Sequence, residues 1–189
     1  LKSLLQKLNV LTVFKPLSDA FAGMALKIGE GAHADRFIFV NSTHPLGRQH
    51  FTICHELYHL YVQKAFTSQI CNPGTFDRKD PEEYRADVFA AHLLIPRQGI
   101  FQNVGWDELD LNTISLDTIV ELEQLFSCSR SALLHRLVEV ELISEDYAAQ
   151  FKTGVRLSAA QRGYAAELYE PGNHNQFVGN YGLLARELY

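Results

Sequence analysis

A single predicted helix over residues 48–65 constrains the fold of this chain more than any other segment. Apolar side chains recur along it at helical spacing and predict a buried face. They are Phe51, Cys54, Leu57, Tyr58, Leu60 and Tyr61. The same helix carries His55 and His59, which lie about 40° apart around its axis because each residue turns by about 100°. Both imidazoles can therefore reach one ion, whereas the alternative is a pair of core histidines satisfied by hydrogen bonds.

Glu56 completes a His-Glu-x-x-His pattern on this helix. It lies on the adjoining strip of the helix surface, close enough to act on a water held by such an ion. Zn²⁺ suits imidazole ligands and tolerates an open coordination position, and Mn²⁺ is an alternative that the sequence leaves open. In this interpretation Glu56 is a general base and not a ligand. A further donor to a developing oxyanion would come from Tyr58, Tyr84 or His92, among which residue type does not choose.

A catalytic zinc usually takes three protein ligands, so one more must come from elsewhere in the chain. A second predicted helix begins near Asp80 and presents Glu83 and Asp87 on one face, one turn apart. We predict Glu83 as the third ligand and Asp87 as the carboxylate that accepts a proton from the far nitrogen of a ligand histidine. Two alternatives stay open: Asp80 and Glu83 have the spacing of a capping box, and Glu82 is a neighbouring candidate for the ligand.

The rest of the chain predicts an α+β fold, with a small antiparallel sheet packed on a helical core and followed by an extra helical segment. Three β-prone runs precede the helix that carries His55, at residues 10–14, 21–28 and 36–41. Residues 68–79 are polar and predict a loop, which leaves Cys71 as a lone thiol without a motif. We expect a core at residues 1–100, helices covering it at 101–150 and a tail without an assigned role at 151–189.

Composition excludes several classes of partner. The net charge is −5, so the basic surface typical of nucleic-acid binding is missing and direct binding to nucleic acid is not expected. No apolar run approaches the roughly 18 residues of a membrane span, so no membrane partner is predicted. Three cysteines without a Cys-x-x-Cys pair argue against a disulfide framework and favour a reducing compartment, the cytoplasm.

Residues 116–142 carry a different hypothesis. Two predicted helices there could form a helix-turn-helix in which Arg130, His135 and Arg136 face DNA. Acidic residues in the same stretch oppose contact with phosphates. A helical pair that covers the core is the interpretation that we prefer.

Two segments resemble the ImmA/IrrE family of metallopeptidases. The run RQHFTICHELYHLYV at residues 48–62 is similar to the family's "RFTLAHELGH" helix, and EEYRADVFAAHLLIP at 82–96 is similar to its "ExxANxFAxxLLMP" helix. The resemblance implies a zincin-like core with a gluzincin-like site, and its glutamate ligand falls on Glu83. Asp87 replaces the usual Asn, Tyr58 replaces a small residue and His92 stands where an acidic residue is common, but these departures remove no ligand.

The resemblance also implies a function. Members of the family are zinc-dependent endopeptidases, and several cleave a helix-turn-helix transcriptional repressor and so relieve repression. We therefore expect a hydrolase whose substrate is a protein, such as a repressor of this kind. The alternative is a regulatory protein that holds a metal without cleaving and acts by sequestering a repressor.

Overall fold

The computed structural model of the protein describes residues 1–29, 34–64, 66, 68–71 and 73–179. Within them the helices are α1 (Lys2–Lys7), α2 (Leu46–Tyr61), α3 (Pro81–Leu94), α4 (Arg97–Asn103), α5 (Leu116–Phe126), α6 (Arg130–Glu139), α7 (Glu145–Ala149) and α8 (Val155–Ala160). The strands are β1 (Val10–Lys15), β2 (Gly23–Ile28), β3 (Asp35–Asn41), β4 (Ser68–Cys71) and β5 (Phe177–Val178). Among the described residues, no helix is both long and apolar enough to cross a membrane.

The five strands form one sheet in the order β4-β2-β3-β1-β5. The α+β class is thus confirmed, but the sheet is mixed and not wholly antiparallel, because β1 and β3 run parallel. The other strand pairs are antiparallel. The parallel pair arises because β2 lies on the far side of β3, so β1 pairs with β3 instead of with the next strand in the sequence. The first five residues of β1 are all buried, as is common in strands with a parallel partner.

The helix α2 lies at the centre of the molecule because it has two apolar faces. One face packs on the sheet through Ile53, Leu57 and Leu60. The other face joins α3 and the later helices through Phe51 and Cys54 in a second apolar cluster. Most of the helix is consequently buried, including all of its residues from 51 to 60.

Two boundaries differ from those predicted. α2 begins and ends earlier than residues 48–65, at Leu46 and Tyr61, and the predicted end at Ala65 lies outside the described residues. The predicted loop at 68–79 contains β4, which pairs with β2 at the edge of the sheet. Since a four-residue strand depends on its partner more than on its own composition, local sequence did not reveal it.

The C-terminal segment packs on the body of the molecule. β5 pairs with β1, and a bridge joins Pro45 to Pro171 next to the start of α2. Residues 180–189 of the predicted tail lie outside the described residues. The division of the chain near residues 100 and 150 stays a prediction.

Candidate metal centre

The two histidines of α2 meet inside the protein. Their Nε2 atoms lie 3.0 Å apart, and both side chains are fully buried. One helical turn separates the residues, so the spacing that the sequence predicted brings the two rings to one point. Glu56, on the adjoining strip of α2, is also fully buried.

The carboxylate of Glu83 lies against both histidines. Its Oε2 is 3.2 Å from Nε2 of His55, and its Oε1 is 3.3 Å from Nε2 of His59. The helix start does not use this side chain as a cap, because the backbone N–H of Asp80 donates to the carbonyl of Asp77 instead. The alternative ligand Glu82 instead accepts a hydrogen bond from the Tyr58 hydroxyl at 2.9 Å.

Asp87 forms a hydrogen bond with the ring nitrogen of His55 that lies farther from Glu83. Nδ1 of His55 donates a hydrogen bond to Oδ1 of Asp87 at 2.9 Å. Nε2 therefore carries the free lone pair, and it faces His59 and Glu83, where it can bind a metal ion. The Asp87 carboxylate also accepts the backbone N–H groups of Gly74 and Phe76, each at 2.7 Å, so its own position is fixed by the loop between β4 and α3.

Gln63 does for His59 what Asp87 does for His55. Nδ1 of His59 donates to Oε1 of Gln63 at 2.6 Å, so the second Nε2 also faces the site as an acceptor. Sequence analysis missed this residue. Its only signal is a position four residues after His59, which is too common a spacing to have revealed it.

The Glu56 carboxylate is fully buried beside His55, His59 and Glu83. Burial raises the pKa of Glu56 to about 7, against the opposing influence of the two imidazoles. Neither of its oxygens has a hydrogen-bond partner of normal geometry among the described residues. A Cβ on Gly23 would come within 2.9 Å of Oε1 of Glu56, so only glycine lets β2 lie this close to α2.

Cys71 adds a fourth donor that the sequence did not indicate. It is the last residue of β4 and pairs with Gly23 in the sheet. Its Sγ lies 3.5 Å from Nε2 of His59 and 3.6 Å from Oε1 of Glu83. One donor atom from each of His55, His59, Cys71 and Glu83 fits within a set whose members are all within 4.8 Å of one another.

These residues fit a divalent cation. Both histidines donate their Nδ1 proton away from the site, so two Nε2 lone pairs and the Glu83 carboxylate face one another. Electron-rich groups buried together in this way need a positive charge between them. Burial disfavours protonation of His55, but hydrogen bonds to Asp87 and Glu83 outweigh it and raise its pKa to about 9. Likewise burial alone would raise the pKa of Glu83, yet hydrogen bonds to His55 and His59 hold it at about 2. Nitrogen, oxygen and sulfur donors of this kind suit a divalent transition metal.

Other predicted candidates lie apart from the donors. Nε2 of His92 pairs with Glu139 at 2.8 Å, and the Tyr84 ring contacts the guanidinium of Arg78. Tyr58 borders His59, with ring centroids 5.6 Å apart, but its hydroxyl is directed to Glu82.

The two arginines predicted to face DNA are buried in the protein, whereas His135 is half-buried. Arg130 is buried in a pair with Glu123, and Arg136 is buried with its Nε donating to the carbonyl of Ile95. The ring of His135 stacks on Phe76, with centroids 3.6 Å apart. Neither arginine is presented to a phosphate backbone, which argues against the DNA-binding alternative.

Comparison with known proteins agrees with this geometry. No curated protein sequence matches the chain. A peptidase family described as the IrrE N-terminal-like domain matches residues 5–138, which is more than half of the chain and includes all four donors. The match confirms the resemblance seen in the sequence. The chain therefore belongs to the IrrE N-terminal-like domain family of peptidases.

Proposed function

We propose that this chain is a zinc-dependent metallopeptidase that hydrolyses a peptide bond in a protein substrate. One observation carries the proposal: His55, His59 and Glu83 converge from two helices, and the buried carboxylate of Glu56 lies beside them. Three such ligands with an adjacent general base are the composition of a hydrolytic zinc site. Family membership supports the same conclusion.

Each residue has a separate task in this mechanism. His55, His59 and Glu83 would hold the ion, which when bound supplies Lewis-acid chemistry toward a carbonyl group and a water. Glu56 takes a proton from the attacking water and returns it to the leaving amine. Asp87 and Gln63 fix the rings of His55 and His59 through their Nδ1 protons, so that neither ring must reorient during the reaction.

The substrate that we propose is a protein, with a helix-turn-helix repressor as the leading candidate because of the family resemblance. The cytoplasm is the compartment where such a repressor would be met. Zn²⁺ is the ion that we favour, and Mn²⁺ remains the alternative to be compared in the same assays. Direct contact between this chain and DNA is not part of the proposal, since Arg130 and Arg136 are buried.

The variant Glu56→Gln tests the proposal. It keeps the size of the side chain and should keep bound zinc, but it removes the base, so cleavage should fall by about 10²- to 10⁴-fold. Glu82→Gln is the matched control, because that carboxylate is on the same part of the molecule but bonds Tyr58 and Arg85 instead of the donors. The assay measures zinc by elemental analysis and cleavage of repressors encoded beside this protein.

Two results would contradict the proposal. Unchanged cleavage in Glu56→Gln would show that Glu56 is not the general base. Equal zinc content in the wild type and a His55→Ala variant would show that zinc does not bind at this site. If Glu56→Gln still relieves repression without cleaving, the protein instead acts by sequestering the repressor.

A further inference from the structure

The distances from Cys71 to two of the other metal-binding side chains are those between ligands of a tetrahedral zinc. Donors about 2.0 to 2.3 Å from a tetrahedral zinc lie about 3.3 to 3.6 Å from one another. Sγ of Cys71 lies 3.5 Å from Nε2 of His59 and 3.6 Å from Oε1 of Glu83. Oε1 of Glu83 is 3.3 Å from His59 and its Oε2 is 3.2 Å from His55, while the two Nε2 atoms are somewhat closer to each other, at 3.0 Å. Cys71 thus occupies the place of a fourth ligand.

The burial of the site leads to the same conclusion. The side chains of His55, Glu56 and His59 are fully inaccessible, Cys71 is 2% exposed and the side chain of Glu83 is 16% exposed. A zinc site that catalyses hydrolysis keeps one coordination position open, whereas a site with four protein ligands is closed. The arrangement at rest is therefore of the closed kind.

We propose that Cys71 is a fourth protein ligand that keeps the metal centre closed at rest, so that hydrolysis requires its sulfur to leave. This inference rests on the metal site of the proposed function. Coordination takes the thiol as a thiolate and releases its proton to the buffer. Coordination by Cys71 would keep the protein inactive as a peptidase until β4 is displaced.

The position of Cys71 suits a ligand that can be withdrawn. It ends β4, which lies at one edge of the sheet and has β2 as its only neighbouring strand in the described structure. Separating β4 therefore breaks a single short ladder, while the helices that carry the other three ligands stay packed. A substrate segment that adds to an exposed β2 edge would form the same hydrogen bonds in its place.

Substitution of Co²⁺ for the native ion tests the ligand directly. Thiolate coordination gives an intense sulfur-to-cobalt charge-transfer band in the near ultraviolet. We expect the band in the wild type, its loss in Cys71→Ala and Cys71→Ser, and its retention in Cys128→Ala, a buried cysteine outside the donor set. The affinity for Co²⁺ should fall at least about 10-fold in the Cys71 variants. A wild-type spectrum without the band overturns the proposal, whatever the variants do.

Azide tests the closure without any peptide substrate. A metal with four protein ligands has no free coordination position for an anion. Azide should therefore leave the visible Co²⁺ bands of the wild type unchanged and should shift those of Cys71→Ala. An equal shift in both proteins overturns the proposal. Because neither measurement uses cleavage, a failure of the peptidase assay stays distinguishable from a failure of this inference.

Discussion

Replacing Asp87 with alanine should damage both the metal site and the fold, because one carboxylate serves three donors. The Nδ1–H of His55 is fully buried, and leaving it unpaired costs about 1 to 3 kcal/mol. The N–H groups of Gly74 and Phe76 lie in residues that are not fully buried, so water replaces part of each lost bond. At the low end for bonds to a charged group, about 1.5 kcal/mol each, the total loss of unfolding free energy is about 4 to 6 kcal/mol.

The affinity for zinc should fall in the same variant by about 10- to 100-fold, because His55 loses the partner that sets its tautomer and orientation. Asp87→Asn is the matched control. Oδ1 accepts from both His55 and Gly74, and an asparagine amide oxygen can replace it there. Only the bond from Phe76 to Oδ2 is lost, since the amide nitrogen cannot accept it.

Competition with a chelator gives the zinc affinity, and urea denaturation gives the free energy of unfolding. We expect the asparagine variant to bind zinc nearly as well as the wild type and to lose about 1.5 to 3 kcal/mol of stability. Wild-type affinity in Asp87→Ala would refute the orienting role. Equal losses of affinity in the two variants would show that the negative charge matters, and not the acceptor at Oδ1.

Two further predictions concern a second orienting residue and a surface carboxylate. Gln63→Ala removes the Nδ1 partner of His59 and should weaken zinc binding about 10-fold in the chelator assay, and unchanged binding would exclude that role. Burial alone would raise the pKa of Glu108, but hydrogen bonds from Ser115 and Thr118 hold it below its ordinary value. Glu108→Gln should therefore lower the unfolding free energy by about 1 kcal/mol near pH 7, and the difference from the wild type should shrink as the pH falls below about 4.3 toward the folded-state pKa. A difference that persists at low pH would contradict this reasoning.

The features that sequence predicted well are those fixed within a few residues. The approach of His55 and His59 follows from the helical repeat, and the start of α3 follows from Asp80 and Pro81. Local sequence alone could not decide between Glu83 and Glu82 as the third ligand. Neighbouring residues point about 100° apart on a helix, so the packing of α3 on α2 selects the one that faces the histidines.

The features that sequence missed depend on contacts between distant segments. β1 pairs in parallel with β3 and not with β2, the next strand in the sequence, and local composition does not specify this order of strands. Cys71 lies in a segment whose own residues predict a loop, and it reaches the site only because β4 pairs with β2. The alternative in which Arg130 faces DNA stayed open because its partner Glu123, one helix earlier, could not be inferred from charge alone.

The donors come from separate elements, and this couples the metal to the fold. The histidines are on α2, the carboxylate is on α3 and the thiol is on β4, so an ion that binds all of them joins the central helix to a second helix and to the sheet edge. A ligand set of this kind does not exist in the unfolded chain, and the binding free energy therefore adds to the stability of the native state. Withdrawal of Cys71 would give up one of these links and leave the two-helix part in place. Since α2 and α3 are held by apolar packing as well as by a bound ion, the geometry that we propose for His55, His59 and Glu83 can persist while the sheet edge opens.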